Sequence, residues 1–110
     1  MKGLIIKDPW ITKILNGEKT WEIRGSSTKN RGTISLIKSG TGMIYGTVVL
    51  TNSFPITDSA YYQGFDNHRI PETIYIPYAH RYVWEMSAPK LFKEPIPYKH
   101  PQGAVIWVNL

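Results

Sequence analysis

The spacing of apolar and polar residues changes several times along the chain, and each spacing predicts a different element. The continuous apolar run at residues 4–6 predicts a short buried strand. Residues 10–15 then place their apolar side chains on one helical face. We expect Asp8 to cap the free amides of this helix and Pro9 to occupy its first turn. Gly17 predicts the end of the helix, because glycine accepts the left-handed backbone found there.

Alternating residues predict a second strand directly after this helix, from Lys19 to Arg24. Its apolar side chains, Trp21 and Ile23, are expected to face the core. Glu22 then shares the opposite, polar face of the strand with Arg24. Charged side chains at the junction between a helix and the following strand are typical of functional sites at the rim of a fold.

Two further alternating stretches, residues 33–37 and 43–51, flank the turn at residues 39–42. Together they predict a β-hairpin. Gly46 lies inside the second stretch and indicates a bend or a close approach of another backbone segment.

The second half of the chain has fewer regular patterns. A connector of about 25–30 residues is long enough to indicate a functional or partly helical segment, with a helical turn capped by Thr57 and Asp58. Residues 81–86 alternate and predict a strand, whereas the proline-rich stretch 89–101 predicts an extended surface connector. The apolar run at residues 104–108 predicts a central strand that is buried on both faces.

Five or six short strands with one early helix predict a mainly β (α+β) fold, with a small β-barrel as the most economical arrangement. The chain of 110 residues suits a single domain over residues 1–110, and 42% apolar residues are enough for one core. The sequence has no cysteine, which excludes disulfides and thiolate metal sites. No apolar run approaches bilayer length, so we expect a soluble cytoplasmic protein without a membrane partner.

The positive charge is concentrated in the first third of the chain. Up to residue 40 there are eight lysines and arginines against three acids, whereas five residues of each sign follow. The polar stretch 25–32 contributes Lys29 and Arg31, and we expect it to be a loop that is available to a ligand. Such a concentration suits a face that binds a polyanion, although a solvated surface that keeps the protein soluble explains it equally simply.

Lys19, Glu22 and Arg24 form the strongest candidate site. They are either an ion-pair network at the rim or a ligand site in which a lysine and an arginine contact phosphate and a carboxylate accepts a base amine. Trp10 at the helix start is either a core residue or a stacking platform for a base. The three histidines are scattered without metal-ligand spacing, so no metal or other cofactor is expected.

Short motifs spread over nearly the whole chain match those of a known family: Lys7-Asp8-Pro9-Trp10, Gly17-x-Lys19-x-x-Glu22-x-Arg24, Arg31-Gly32, Ser39-Gly40-Thr41-Gly42, Ile44-Tyr45-Gly46, Tyr82-Val83-Trp84 and His100-Pro101-x-Gly103-Ala104-Val105-Ile106-Trp107. Through these motifs the sequence resembles the ASCH domain, a branch of the PUA-like superfamily, in its small stand-alone bacterial or archaeal form. The resemblance implies a β-barrel with a cleft beside the first helix, lined by Lys19, Glu22 and Arg24. It also implies a module that binds RNA or a nucleotide.

Some members of this family are enzymes, which leaves a small hydrolase as the alternative. One group resembles amidohydrolases that act on N-acylated cytidine through a lysine and a threonine three residues later. Here Glu22 stands at the second position, so the hydroxyl nucleophile is missing. Other members are ribonucleases, for which Lys19 with Tyr82 or Ser39 would be the matching set.

The ligand-binding residues expected on these grounds are Lys7, Trp10, Lys19, Glu22, Arg24, Lys29, Arg31, Ser39 and Tyr82. If the protein is an enzyme, Lys19 and Glu22 are the expected catalytic residues. The tyrosines at positions 61, 62, 75 and 78, which we expect to be exposed, leave a protein adaptor as a third interpretation, with unknown partners. The sequence leaves open whether Tyr78, His80 and His100 line the cleft.

Overall fold

The alternating stretches form one six-stranded sheet in the computed structural model, which describes residues 1–110. The strands are β1 (Lys2–Ile6), β2 (Trp21–Arg24), β3 (Gly32–Lys38), β4 (Met43–Ile56), β5 (Arg81–Pro97) and β6 (Trp107–Asn109). Three short helices complete the fold: α1 (Trp10–Leu15), α2 (Asp58–Gln63) and α3 (Phe65–His68). None of these helices has the length and apolar character needed to cross a membrane.

The strands lie in the order β2-β5-β4-β3-β1-β6, and only the β1–β3 pair is parallel. The sheet curves until its two ends meet through side chains. Trp84 of β5 stacks on Trp107 of β6 with ring centroids 5.7 Å apart. Arg24 of β2 donates a hydrogen bond to the carbonyl oxygen of Ile5 in β1 at 3.0 Å. The mainly β, barrel-like fold is therefore confirmed, although no backbone pairing closes the sheet.

Two groups of buried side chains fill the molecule, one on each side of the β2–β5 pair. The larger lies between α1 and the sheet and includes Ile11, Leu36 and Trp84. The smaller lies between β2, β5 and the helical connector, and includes Ile23 and Tyr61. Both faces of β2 are therefore covered.

This covering corrects the prediction for β2. Glu22 and Arg24 do share one face, but that face points toward the larger core, because Glu22 lies opposite Trp84 in the strand ladder. Glu22 is buried and Arg24 is only half-buried, so the predicted polar face is not a solvent face.

The predicted elements of the first half are otherwise present. Strand β1, helix α1 and the β3–β4 hairpin all form, and Gly17 follows the helix with φ of +88°. At Gly46 a Cβ would lie 2.3 Å from the carbonyl oxygen of Lys90, which confirms the predicted close approach. Asp8 does not cap the helix amides. Its carboxylate accepts the Thr12 hydroxyl at 2.5 Å and pairs with Lys38 at 2.9 Å, because a full ammonium charge outcompetes the backbone amides.

The second half departs further from prediction. Thr57 caps α2 as expected, with its hydroxyl accepting from the amide of Ala60 at 3.1 Å. The proline-rich stretch is not a connector, since β5 continues to Pro97 and pairs with β4 as far as Met43. The apolar run at 104–108 is not a central strand. Strand β6 has only three residues and lies at the sheet edge, where Val105 before it is 77% exposed.

Candidate functional site

A cleft of about 420 Å³ opens beside the first helix, between α1, the end of β2 and the connector after α3. Its polar and aromatic lining comes from Lys7, Trp10, Glu22, Arg24, Ser39, Tyr75 and Tyr78. The cleft forms here because the edge strand β2 approaches the end of β1 without pairing with it, and side chains bridge the gap between them.

Arg24 is held in a single orientation at this gap. Its Nε donates to Oε2 of Glu22 at 3.0 Å, and its Nη2 lies 2.9 Å from the same oxygen while donating to the Ile5 carbonyl. The guanidinium carbon lies 5.4 Å from the ring centroid of Trp84. The remaining nitrogen, Nη1, makes no hydrogen bond. Arg24 therefore offers an oriented and charged donor at the cleft.

Lys19 lies behind the cleft. Its side chain is fully buried, and its Nζ donates to the carbonyl oxygen of His68 at 2.6 Å. The ammonium also lies 3.8 Å from Oε1 of Glu22 and 5.3 Å from the centroid of the Trp10 ring. Burial lowers the pKa of Lys19 to about 8, although the nearby Glu22 carboxylate opposes this shift. The lysine thus fixes Glu22 and the end of α3 without reaching the cleft surface.

Glu22 joins the two cations into one network. Its buried carboxylate has Lys19 near one oxygen and Arg24 on the other. With Lys19 protonated, one negative and two positive charges meet beneath the cleft. This arrangement leaves a net positive charge, which favours an anion above it.

Three more of the predicted residues also line the cleft. Trp10 is half-buried, with its ring over the Lys19 ammonium, so it contacts both the core and the opening. Lys7 is exposed and has no ion-pair partner, and Ser39 contributes a hydroxyl without a hydrogen bond. The fold thus brings Lys7, Trp10 and Ser39 together with Glu22 and Arg24.

The structure places the remaining predicted residues elsewhere. Arg31 folds back on its own loop and donates to the carbonyls of Thr28 and Asn30, both at 2.8 Å. Lys29 lies on the same loop, outside the cleft lining. Tyr82 packs against the larger core rather than lining the opening. The loop cations and Tyr82 therefore belong to surfaces separate from the cleft.

One wall of the cleft was not predicted residue by residue. The segment from Ile74 to Tyr78 lines the cleft with apolar and aromatic side chains, and Tyr75 is 84% exposed. Tyr78 packs against Gly25, where a Cβ would lie 2.8 Å from the tyrosine ring. In the sequence, only the length of the connector indicated that this segment has a function. His80 does not line the cleft, and His100 lines a neighbouring groove instead.

Comparison with known proteins agrees with this fold. The ASCH domain model matches residues 4–96. Crystal structures of the ASCH protein from Zymomonas mobilis and two single-residue variants of it superpose with a TM-score of 0.77 at 12% identity. These alignments cover 99% of this chain and 86 to 88% of the other. No curated protein sequence matches significantly. Because the family match spans most of its length, the chain belongs to the ASCH domain family.

Proposed function

We propose that this protein binds single-stranded RNA and accepts one nucleotide of the strand in the cleft. The observation that carries the proposal is the immobilised Arg24 guanidinium, which has one nitrogen without a hydrogen bond and lines a hollow together with Trp10 and Tyr78. A pre-oriented cation beside aromatic side chains is the usual combination for a base and its phosphate.

The size and lining of the cleft suit such an occupant. A volume of about 420 Å³ lies within the range of about 300–1,000 Å³ that is typical of small-molecule sites. The aromatic and aliphatic walls favour a flat ring, since stacking of a base on an aromatic side chain contributes about 1–3 kcal/mol. Because Arg24 is already ordered, little conformational entropy is lost when a phosphate binds.

The distribution of charge supports a polyanion as the ligand. Two cations, Lys7 and Arg24, line the cleft against a single acid, Glu22, and Lys7 has no ion-pair partner. Phosphate contacts by such side chains release counterions from the nucleic acid, which makes binding sensitive to salt.

The geometry favours binding over hydrolysis. A hydrolase would require the Lys19 ammonium or the Glu22 carboxylate to reach a substrate. The Lys19 ammonium is instead enclosed and bonded to a backbone carbonyl, and Glu22, although it lines the cleft, has a cation near each of its oxygens. In this arrangement the two residues support Arg24 and the cleft wall.

Fluorescence anisotropy with a labelled RNA of mixed sequence, about eight nucleotides long, tests the proposal. We expect affinity to fall as salt rises from about 50 to 200 mM. Lys7→Ala should reduce the salt slope by about 1, because one phosphate contact is removed. Tyr78→Ala should weaken binding at every salt concentration.

Lys93→Ala is the matched control for Lys7→Ala, because Lys93 is exposed on β5 and lines neither the cleft nor the groove beside it. This control should leave both affinity and salt slope unchanged. No binding at low salt, or equal effects of Lys7→Ala and Lys93→Ala, would contradict the proposal.

A further inference from the structure

A second hollow, here called the groove, adjoins the cleft. It has a volume of about 520 Å³, and it shares Ile5, Lys7, Ser39 and Val105 with the cleft lining. The two hollows therefore border each other along these residues, and Lys7, which has no ion-pair partner, and Ser39 stand at the junction.

The far side of the groove is formed by Tyr98 and His100. The Tyr98 hydroxyl lies 2.7 Å from Nδ1 of His100, and Nε2 of His100 lies 2.9 Å from the carbonyl oxygen of Ala104. Since a carbonyl only accepts, Nε2 carries the hydrogen, and in the neutral ring Nδ1 accepts from Tyr98. Both rings are thereby held at fixed angles in the groove wall, which limits the entropy lost when a planar ligand packs against them.

The near side is formed by the turn between β3 and β4. Gly40 and Gly42 have φ of +81° and +67°, which restricts these positions to residues that accept the left-handed region. Neither contributes a side chain, so the groove stays open along the turn. A flat group inserted against Tyr98 meets no side chain from these two positions.

We propose that the groove binds a second nucleotide, so that the protein recognises a dinucleotide step of RNA. One nucleoside occupies the cleft, the next packs against Tyr98, and the phosphodiester between them lies at Lys7 and Ser39. A single cation with an adjacent hydroxyl donor matches the single negative charge of a phosphodiester. This inference rests on the proposed RNA binding and adds the length and position of the bound segment.

The probes are the four homodinucleoside monophosphates and the four nucleoside 3′-monophosphates, titrated against the ¹⁵N-labelled protein by NMR. Each pair shares one nucleoside and one phosphate group, and the monophosphate carries the greater charge. Attraction by charge alone would therefore make the monophosphate the better ligand. We expect at least one dinucleotide to bind tighter, by about fivefold or more, because an additional base stacks.

Tyr98→Ala is the decisive variant. It should lower dinucleotide affinity to that of the monophosphate and leave monophosphate affinity unchanged. Tyr98→Phe retains the ring and should preserve the tighter binding. Tyr62→Ala removes an exposed tyrosine that lies outside both hollows and serves as the matched control. The amide spectrum of each variant shows whether the fold is intact.

The possible outcomes separate the two proposals. Tighter dinucleotide binding that is lost in Tyr98→Ala, with shifts at Gly40 and Gly42 only for dinucleotides, supports the groove as a subsite. Equal binding of both probes, or a dinucleotide advantage that survives in a folded Tyr98→Ala, overturns the subsite and leaves the cleft proposal standing. Absence of binding by every probe and by the longer RNA overturns both.

Discussion

Lys19 provides a sharp test of the site, because its buried ammonium is expected to lose its proton within an accessible pH range. The Lys19→Met substitution keeps most of the aliphatic chain, which lines a cavity of about 250 Å³ with Val48 and Met86, and removes the charge. In the folded protein the pKa of Lys19 is about 8, against 10.5 for the free side chain. Between these values the unfolded chain binds the proton more strongly, so the free energy of unfolding rises with pH.

The size of the effect follows from this difference in pKa. One pKa unit corresponds to about 1.4 kcal/mol, so the full change is about 3 kcal/mol, of which about 2.5 kcal/mol falls between pH 7 and pH 10. Solvent screening reduces this little, because Lys19 is only 1% exposed. As the pH rises over this range, the free energy of unfolding of the wild type should increase by this amount relative to that of Lys19→Met. The gap between the urea midpoints of the two proteins should change accordingly by about 1 to 2 M.

Urea unfolding followed by tryptophan fluorescence at several values between about pH 7 and pH 10 measures this difference. Subtracting the two proteins cancels the groups that titrate independently of Lys19, including Tyr61. The Lys19 charge helps to lower the pKa of His68, but that pKa lies below 6.5 and therefore below this pH range. Lys93→Met removes an exposed lysine and should show no pH-dependent difference from wild type. A difference between wild type and Lys19→Met that stays constant over this range would refute the desolvation of the ammonium. NMR titration of the Lys19 Cε signal checks the pKa independently.

Three further outcomes are expected. Burial lowers the pKa of His68 below 6.5, so as the pH falls the unfolded chain binds this proton before the folded protein does. The melting temperature should therefore fall as the pH drops below about 6.5. A melting temperature that stays constant down to about pH 5 would contradict this. Gly46→Ala should lower the free energy of unfolding by about 1–3 kcal/mol, because its Cβ would meet the Lys90 carbonyl, and an unchanged denaturation curve contradicts the close approach. Arg24→Lys should weaken RNA binding about tenfold in anisotropy titrations. The planar guanidinium can bond to Glu22 and to the Ile5 carbonyl while one nitrogen remains available to the ligand, whereas an ammonium has no such geometry. Unchanged affinity would show that Arg24 does not belong to the site.

Local patterns were sufficient to locate the main elements in the first half of the fold, although they did not predict the capping of α1 or the burial of Glu22. The helical spacing before Gly17 and the alternation around the turn at residues 39–42 correctly predicted α1 and the β3–β4 hairpin. These elements depend on residues close in sequence, through side-chain periodicity and turn conformation. The close contact at Gly46 was also predictable locally, because a glycine inside a strand often marks a bend or a close approach of another backbone segment.

Local patterns failed where a distant partner decides the structure. The proline-rich stretch extends β5 because β4 is long enough to pair with it over its whole length, as far as Pro97 opposite Met43. The apolar run at residues 104–108 predicted a buried strand, yet it lies at an edge with Val105 exposed. Whether a strand is covered depends on neighbouring elements from elsewhere in the chain, and the strand's own sequence does not specify them.

The same distinction holds at the site. Lys19, Glu22 and Arg24 lie close together because a turn and a short strand join them, which the local sequence is enough to predict. Which of them lines the cleft depends instead on the packing of elements that are distant in the chain. Residues 58–70 close over one face of β2 and Trp84 over the other, which buries the Lys19 ammonium and leaves Arg24 at the gap between β2 and β1. Burial is set by elements distant in the chain, so the periodicity of a single strand cannot specify it.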